Sequence, residues 1–191
     1  MDFLKFLNCT KIVILLTLCL GSCASKAAVR ENPLSVYLTD NSNFILLSPA
    51  GIENPMDMAQ YISASYGGQE YLLNAWVQAD ETGMGMTLLN ELGVNMGELS
   101  YRNGAVSFSS SVFPKNLKSE YIIADFQLCF YKETPLRQAL NDCGLSFEQT
   151  EKGRRVLSKE TVVIEIEKSP GSVRLINHLR GYTYTLEGEF Q

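Results

Sequence analysis

Apolar residues in this chain recur mainly at every second position. Tyr71, Leu73, Ala75, Val77 and Ala79 share one face of a stretch whose other face holds Asn74, Gln78 and Asp80, and Trp76, the only tryptophan, falls on that more polar face. Met84, Met86 and Leu88 repeat the pattern after Gly83, and Val106, Phe108, Ser110 and Val112 alternate with Ser107, Ser109 and Ser111. Each run predicts a half-buried strand. Asn103-Gly104, just ahead of the serine-rich run, tolerates positive φ and predicts a type I′ hairpin turn. Phe44-Ile45-Leu46-Leu47 is too short for a helix and is stopped by Pro49 and Gly51, so it reads as a buried strand, and residues 59–66 end in the turn pair Gly67-Gly68. Further short strands are predicted at 145–149, 154–158, 161–167, 173–178 and 182–186.

Two segments break the period of two. From Tyr121 to Tyr131 the apolar residues Ile122, Phe126, Cys129 and Phe130 fall at helical spacing, Tyr121, Ala124, Leu128 and Tyr131 fill an adjoining stripe, and Asn116 stands ahead as a candidate N-cap. A helix apolar nearly all round must be covered on more than one side. The second helix has Thr134 as expected N-cap, Pro135 at its first position, Leu136, Ala139, Leu140 and Cys143 on one face, and Gly144 as its stop. Strands, two helices and strands again define an α+β fold. The expected architecture is one large antiparallel sheet of nine to eleven strands, curled into a half-barrel because an open sheet that wide tends to curl, with both helices in or over its concave face. Such a curl leaves room for an apolar pocket against the first helix.

The amino terminus follows other rules. Lys5 and Lys11 precede an apolar run, residues 12–20, and the box Leu20-Gly21-Ser22-Cys23 closes it. Charge, short apolar core and small residues are the layout of a secretory leader, and the run is about half of the roughly 20 residues that a membrane span needs. A box of small residues ending in cysteine resembles the lipobox of bacterial lipoproteins. That resemblance implies cleavage between Ser22 and Cys23, a lipid on the Cys23 thiol, and attachment at the outer membrane facing the periplasm, since Ala24 replaces the aspartate that retains such proteins at the inner membrane. The expected organisation is a leader at 1–22, a lipidated terminus and tether at 23–43, and a single domain at 44–191. The apolar patch Leu34 to Leu38 within the tether either docks on the domain or stays loose.

Losing Asp2, Lys5 and Lys11 with the leader leaves 14 basic against 20 acidic side chains. Anionic polymers are therefore poor partners, and no nucleic-acid role is expected. Cys129 and Cys143 are the thiols left once Cys9, Cys19 and Cys23 are set aside, and they are either a disulfide or two buried small residues. With His178 as the single histidine, no metal site is expected, and no other cofactor. No nucleophile motif or phosphate-cradling glycine loop occurs, so no catalytic residue is assigned and no enzymatic activity is expected. Asp80-Glu81 reads as a turn and Glu165 with Glu167 as the wet face of a strand. Asp125 and Gln127 interrupt the apolar helix and need partners. Asp125 is expected to lock helix to sheet through Arg154, Arg155 or backbone amides; the other reading is that one of the two meets a ligand's polar head.

Ala124-Asp125-Phe126-Gln127-Leu128, Pro114, the hairpin Tyr101-Arg102-Asn103-Gly104, Asn177 and Gly181-Tyr182 together resemble an uncharacterised family of bacterial lipoproteins often encoded beside aryl-polyene biosynthesis genes. The similarity runs over residues 58–186. Phe130-Tyr131-Lys132 departs from the Trp-Pro pair usual at that point. The family is similar in turn to the lipoprotein-localisation factors LolA and LolB, whose half-barrel and helical lid enclose a cavity for acyl chains. The resemblance implies a protein that binds or transfers a lipid or lipid-linked molecule, with Trp76, Phe126, Phe130 and Tyr131 as candidate pocket walls. It also implies that Leu92, Val94 and Met96 form a loop handing lipid to a membrane, unless they tuck under the sheet edge. The alternative is a structural envelope lipoprotein whose core is filled by its own side chains. An enzyme of lipid or polyene processing is a distant third.

Overall fold

The period-of-two runs at 71–79 and 84–88 and the first part of the run from Val106 form strands in the computed structural model, which describes residues 33–110, 113 and 117–190, so that Ser111 and Val112 lie outside it. The leader with its Ser22–Cys23 cleavage point, the lipid attachment residue Cys23, and the helix-cap candidate Asn116 lie outside the described residues. In chain order the elements are β1 (Ser35–Thr39), β2 (Ser42–Ile45), β3 (Met56–Tyr66), β4 (Gln69–Asp80), β5 (Gly83–Leu89), β6 (Asn95–Arg102), β7 (Ala105–Ser109), α1 (Ser119–Phe130), α2 (Glu133–Asp142), β8 (Ser146–Thr150), β9 (Gly153–Ser158), β10 (Thr161–Ser169), β11 (Ser172–Asn177) and β12 (Tyr182–Gly188). Asn103 at φ 52° and Gly104 at φ 75° make the expected turn between β6 and β7.

Ten strands form one open antiparallel sheet in the order β7-β6-β5-β4-β3-β12-β11-β10-β9-β8. It consists of two five-stranded meanders, one on each side of the helices in sequence. They meet where β12 pairs with β3, from Tyr182 opposite Tyr66 to Gly188 opposite Gln60. Helix α1 packs against both β7 and β11, and Arg154 of β9 reaches its last carbonyls. From β7 to β9 is eight strand spacings, about 38 Å at ~4.8 Å each, whereas twelve helical residues extend only about 18 Å. The sheet must therefore curl around α1.

The inner face is apolar. Ala75, Val77 and Ala79 of β4, Met84, Met86 and Leu88 of β5, and Ile164, Ile166 and Leu175 of β10 and β11 are buried against Ile123, Ala124 and Leu128 of α1. Tyr71 is exposed, against the alternation, because β5 pairs with β4 only from Asn74 onward and leaves the start of β4 without a neighbour on that side. Val106 and Phe108 are half-buried on the edge strand β7.

The apolar patch of the tether docks. β1 and β2 form a separate hairpin whose Val36, Leu38 and Phe44 are buried in the main core, so the packed chain starts ahead of the expected boundary at residue 44. Helix boundaries also differ from expectation. Lys132, not Thr134, is the N-cap of α2, and Pro135 lies at the third helical position, where the first turn's N–H groups have no intrahelical partner and proline costs little. Arg137 holds α2 to β8 by donating to the Phe147 carbonyl at 2.6 Å with its guanidinium 5.0 Å above the Phe147 ring.

Candidate functional site

The polar residues inside α1 are fully engaged with the surrounding protein. Gln127 is 0 % exposed, and its side chain pairs with one backbone unit as a neighbouring strand would: Leu47 N–H donates to Oε1 at 2.9 Å and Nε2 donates to the Leu47 carbonyl at 2.8 Å. The Tyr101 hydroxyl donates to that same carbonyl at 2.9 Å. These three bonds join α1, β6 and the segment after β2.

Asp125, two residues earlier and so on the other side of α1, meets β12. Its carboxylate accepts from the Tyr182 hydroxyl at 2.7 Å, so its partner is a tyrosine rather than the expected Arg154, Arg155 or backbone amides. Burial pushes the Asp125 carboxyl up to about 7, against the opposing effects of the Tyr182 hydrogen bond, the Arg180 charge and the Tyr184 hydroxyl. Burial, then the Asp125 charge, raises both Tyr182 and Tyr184, and burial with Asp125 raises the Cys129 thiol to about 12. The Tyr182 and Tyr184 rings lie nearly parallel, with centroids 6.3 Å apart. Arg180 closes the mouth of this cluster, donating to the Tyr37 carbonyl and lying 4.7 Å above the Tyr121 ring.

Arg154 caps the other end of α1. It is 3 % exposed, donates through Nη1 to the carbonyls of Leu128, Cys129 and Tyr131 at 3.1, 3.3 and 2.7 Å, and pairs through Nη2 with Glu53 at 3.0 Å. A cation here satisfies orphan carbonyls and complements the negative end of the helix. Backbone bonds from Glu53 N–H to the Phe130 carbonyl and from Lys132 N–H to the Gly51 carbonyl, both 2.9 Å, hold residues 51–53 beside it.

Of the expected pocket walls, Phe126, Phe130 and Tyr131 come together in the core, and of the three only Phe130 also lines a groove. Their rings lie 4.9 Å apart for Phe126 and Phe130 and 6.4 Å for Phe126 and Tyr131. Trp76 does not join them: it lies on the outer face of β4, opposite to Ala75 and Val77, and is 46 % exposed. Leu92 and Val94, in the loop between β5 and β6, are 87 % and 55 % exposed and do not tuck under the sheet, whereas Met96 lies in β6 rather than in the expected loop and packs on the core.

A groove of about 560 Å3 opens at the Phe130 end of α1. Pro55, Met56, Met58, Phe130, Val173 and Phe190 line it, and Glu53, Asp57, Lys168 and Glu189 stand around them. Phe190, just beyond β12, stacks on Phe130 at 5.6 Å with 23° between the rings. Burial, then the neighbouring Arg154, lowers the Lys168 ammonium, whose Nζ is 4.0 Å from Glu53. Met56, Met58 and Phe190 are absent from the residues singled out by sequence. The signal for the two methionines was the continuation of the β3 alternation ahead of Ala59, and for Phe190 that of the series Tyr182, Tyr184 and Leu186.

Fold and groove together define an open antiparallel α+β sheet wrapped around an apolar helix. The family described as "Protein of unknown function (DUF3261)" matches residues 57–188, and the chain belongs to it. No curated protein matches the chain.

Proposed function

We propose that this chain is a lipid-anchored envelope protein of LolB-like architecture that binds or transfers a lipid or lipid-linked molecule, taken up at the groove beside Phe130. The observation that carries this reading is the groove itself: about 560 Å3 of open space at the end of a buried apolar helix, with Met56, Met58, Phe130 and Phe190 in its apolar part and charged residues among the rest, inside the roughly 300–1,000 Å3 range of small-molecule sites. Leu92 and Val94, exposed on a loop between strands, supply apolar side chains for contact with a bilayer, and Cys23 supplies the anchor. The reading assigns no catalytic group.

Native mass spectrometry of the protein purified from its host envelope tests it. A bound lipid or polyene is the expected result, and its loss when Met58→Trp fills the groove locates it. Repeated recovery without any lipid would sink the proposal.

A second reading has a specific observation in its favour. Ile123, Ala124 and Leu128 are 0 % exposed, so the concave side next to the helix is filled by the protein's own side chains. On that reading the chain is an envelope interaction protein without a ligand cavity, and Met58→Trp leaves its partners unchanged.

A further inference from the structure

We infer that Phe190 is a gate that holds the place of an apolar chain in the groove, and that the chain's head is neutral or cationic. The inference rests on the lipid-handling reading and names the ligand class. Its basis is the way β12 ends. Gly188 donates the last backbone bond of that strand, to the Gly171 carbonyl at 3.0 Å, and the Ala59 carbonyl lies so close that a Cβ at 188 would stand 3.1 Å from it. The seam is therefore closely packed up to 188 and the chain leaves the sheet immediately beyond. Among the described residues no side-chain hydrogen bond or ion pair holds Glu189 or Phe190. The Phe190 ring is held by its stack on Phe130 and by partial burial against the core. An aromatic pair of this kind contributes about 0.5–1.5 kcal/mol beyond its buried area, little enough for an apolar ligand to replace.

The rim selects the head. Glu53 is paired with Arg154 and lies 4.0 Å from Lys168, whereas Asp57 and Glu189 have no ion pair among the described residues. Two uncompensated carboxylates at the mouth oppose an anionic head and favour a cation.

The probes are 1,6-diphenyl-1,3,5-hexatriene, its trimethylammonium derivative and its propionate, which fluoresce in apolar surroundings and differ in head charge. They are titrated into full-length protein carrying Cys23→Ser and purified without detergent. Phe190→Ala should bind all three roughly three- to tenfold tighter. The trimethylammonium probe should bind tighter than the propionate, and Asp57→Asn with Glu189→Gln, both exposed positions, should erase that order. Equal or weaker binding by Phe190→Ala, or a propionate bound as tightly as the cation, overturns the inference while the bound probe leaves lipid handling standing. No signal from any probe in either protein also overturns it, and lipid co-purification then judges the broader reading independently.

Discussion

The Tyr182 hydroxyl donates a 2.7 Å hydrogen bond to the Asp125 carboxylate, so the one buried acid of α1 is tied to the strand that joins the two halves of the sheet. Asp125 faces Tyr182 and Tyr184 from β12, Cys129 from its own helix and Arg180 from the turn before β12. Its carboxyl is raised from the ordinary range to about 7, so between pH 4 and 7 the folded protein binds a proton that the unfolded chain gives up. Stability is then full below the unfolded value and falls as pH rises towards 7, by roughly 1.4 kcal/mol per pH unit at most. Urea midpoints across that window should decline for the native protein, and Asp125→Asn should flatten this component.

Two buried glutamines should respond in opposite directions. Gln127→Ala strands the Leu47 N–H and removes one of the two donors to the Leu47 carbonyl, and should cost about 1–3 kcal/mol in urea unfolding, more than Tyr101→Phe, which removes only the other donor to that carbonyl. Gln60 is also buried, on the inner face of β3, but its Nε2 has no partner among the described residues. Gln60→Met removes that unsatisfied donor at similar volume and should raise the unfolding free energy by about 1 kcal/mol.

Arg154→Met should destabilise by about 3 kcal/mol, because it frees three carbonyls at the end of α1 and leaves Glu53 beside Lys168 alone. Arg154→Lys should recover only part of the loss, since one ammonium cannot reproduce the planar fork that reaches carbonyls and carboxylate together. Thermal melts of the three proteins give the ranking.

Leu92→Ser with Val94→Ser should change stability by less than about 0.5 kcal/mol, as both side chains are exposed. Co-sedimentation with phosphatidylethanolamine and phosphatidylglycerol vesicles should nevertheless drop. Unchanged sedimentation would remove this loop from the membrane-contact assignment.

Cys129 and Cys143 are both free thiols, Cys129 buried and Cys143 half-buried with its Sγ 3.2 Å from the Leu140 carbonyl. Burial raises both. An aromatic disulfide reagent should label Cys143 slowly in the native protein and Cys129 only after denaturation, so thiol counts before and after urea distinguish them.

The strand pattern, hairpin turns and buried helix were legible because alternation at period two and the loss of that period are properties of neighbouring residues. Partners were not. Nothing near Asp125 in sequence points to Tyr182, 57 residues away, and Gln127 finds Leu47 across 80 residues; both pairings are products of the curl that folds β12 and the β1–β2 hairpin around α1. Trp76 illustrates the converse. Its side of β4 was readable, and that same alternation carried it away from the aromatic groove. Phe190 escaped notice because Gly188 interrupts the alternating series of Tyr182, Tyr184 and Leu186 that it continues.

The pairing of β3 with β12 has a kinetic consequence. Each meander is built from contacts between consecutive strands, which form quickly, whereas the seam between them joins residues more than 110 positions apart. A growing chain therefore carries two half-sheets, with β3 and β11 as bare hydrogen-bonding edges, until residues 182–188 are made. Completion of the sheet waits on β12, the strand that covers both edges, and any delay in its docking prolongs exposure of the two edges most able to pair with another molecule.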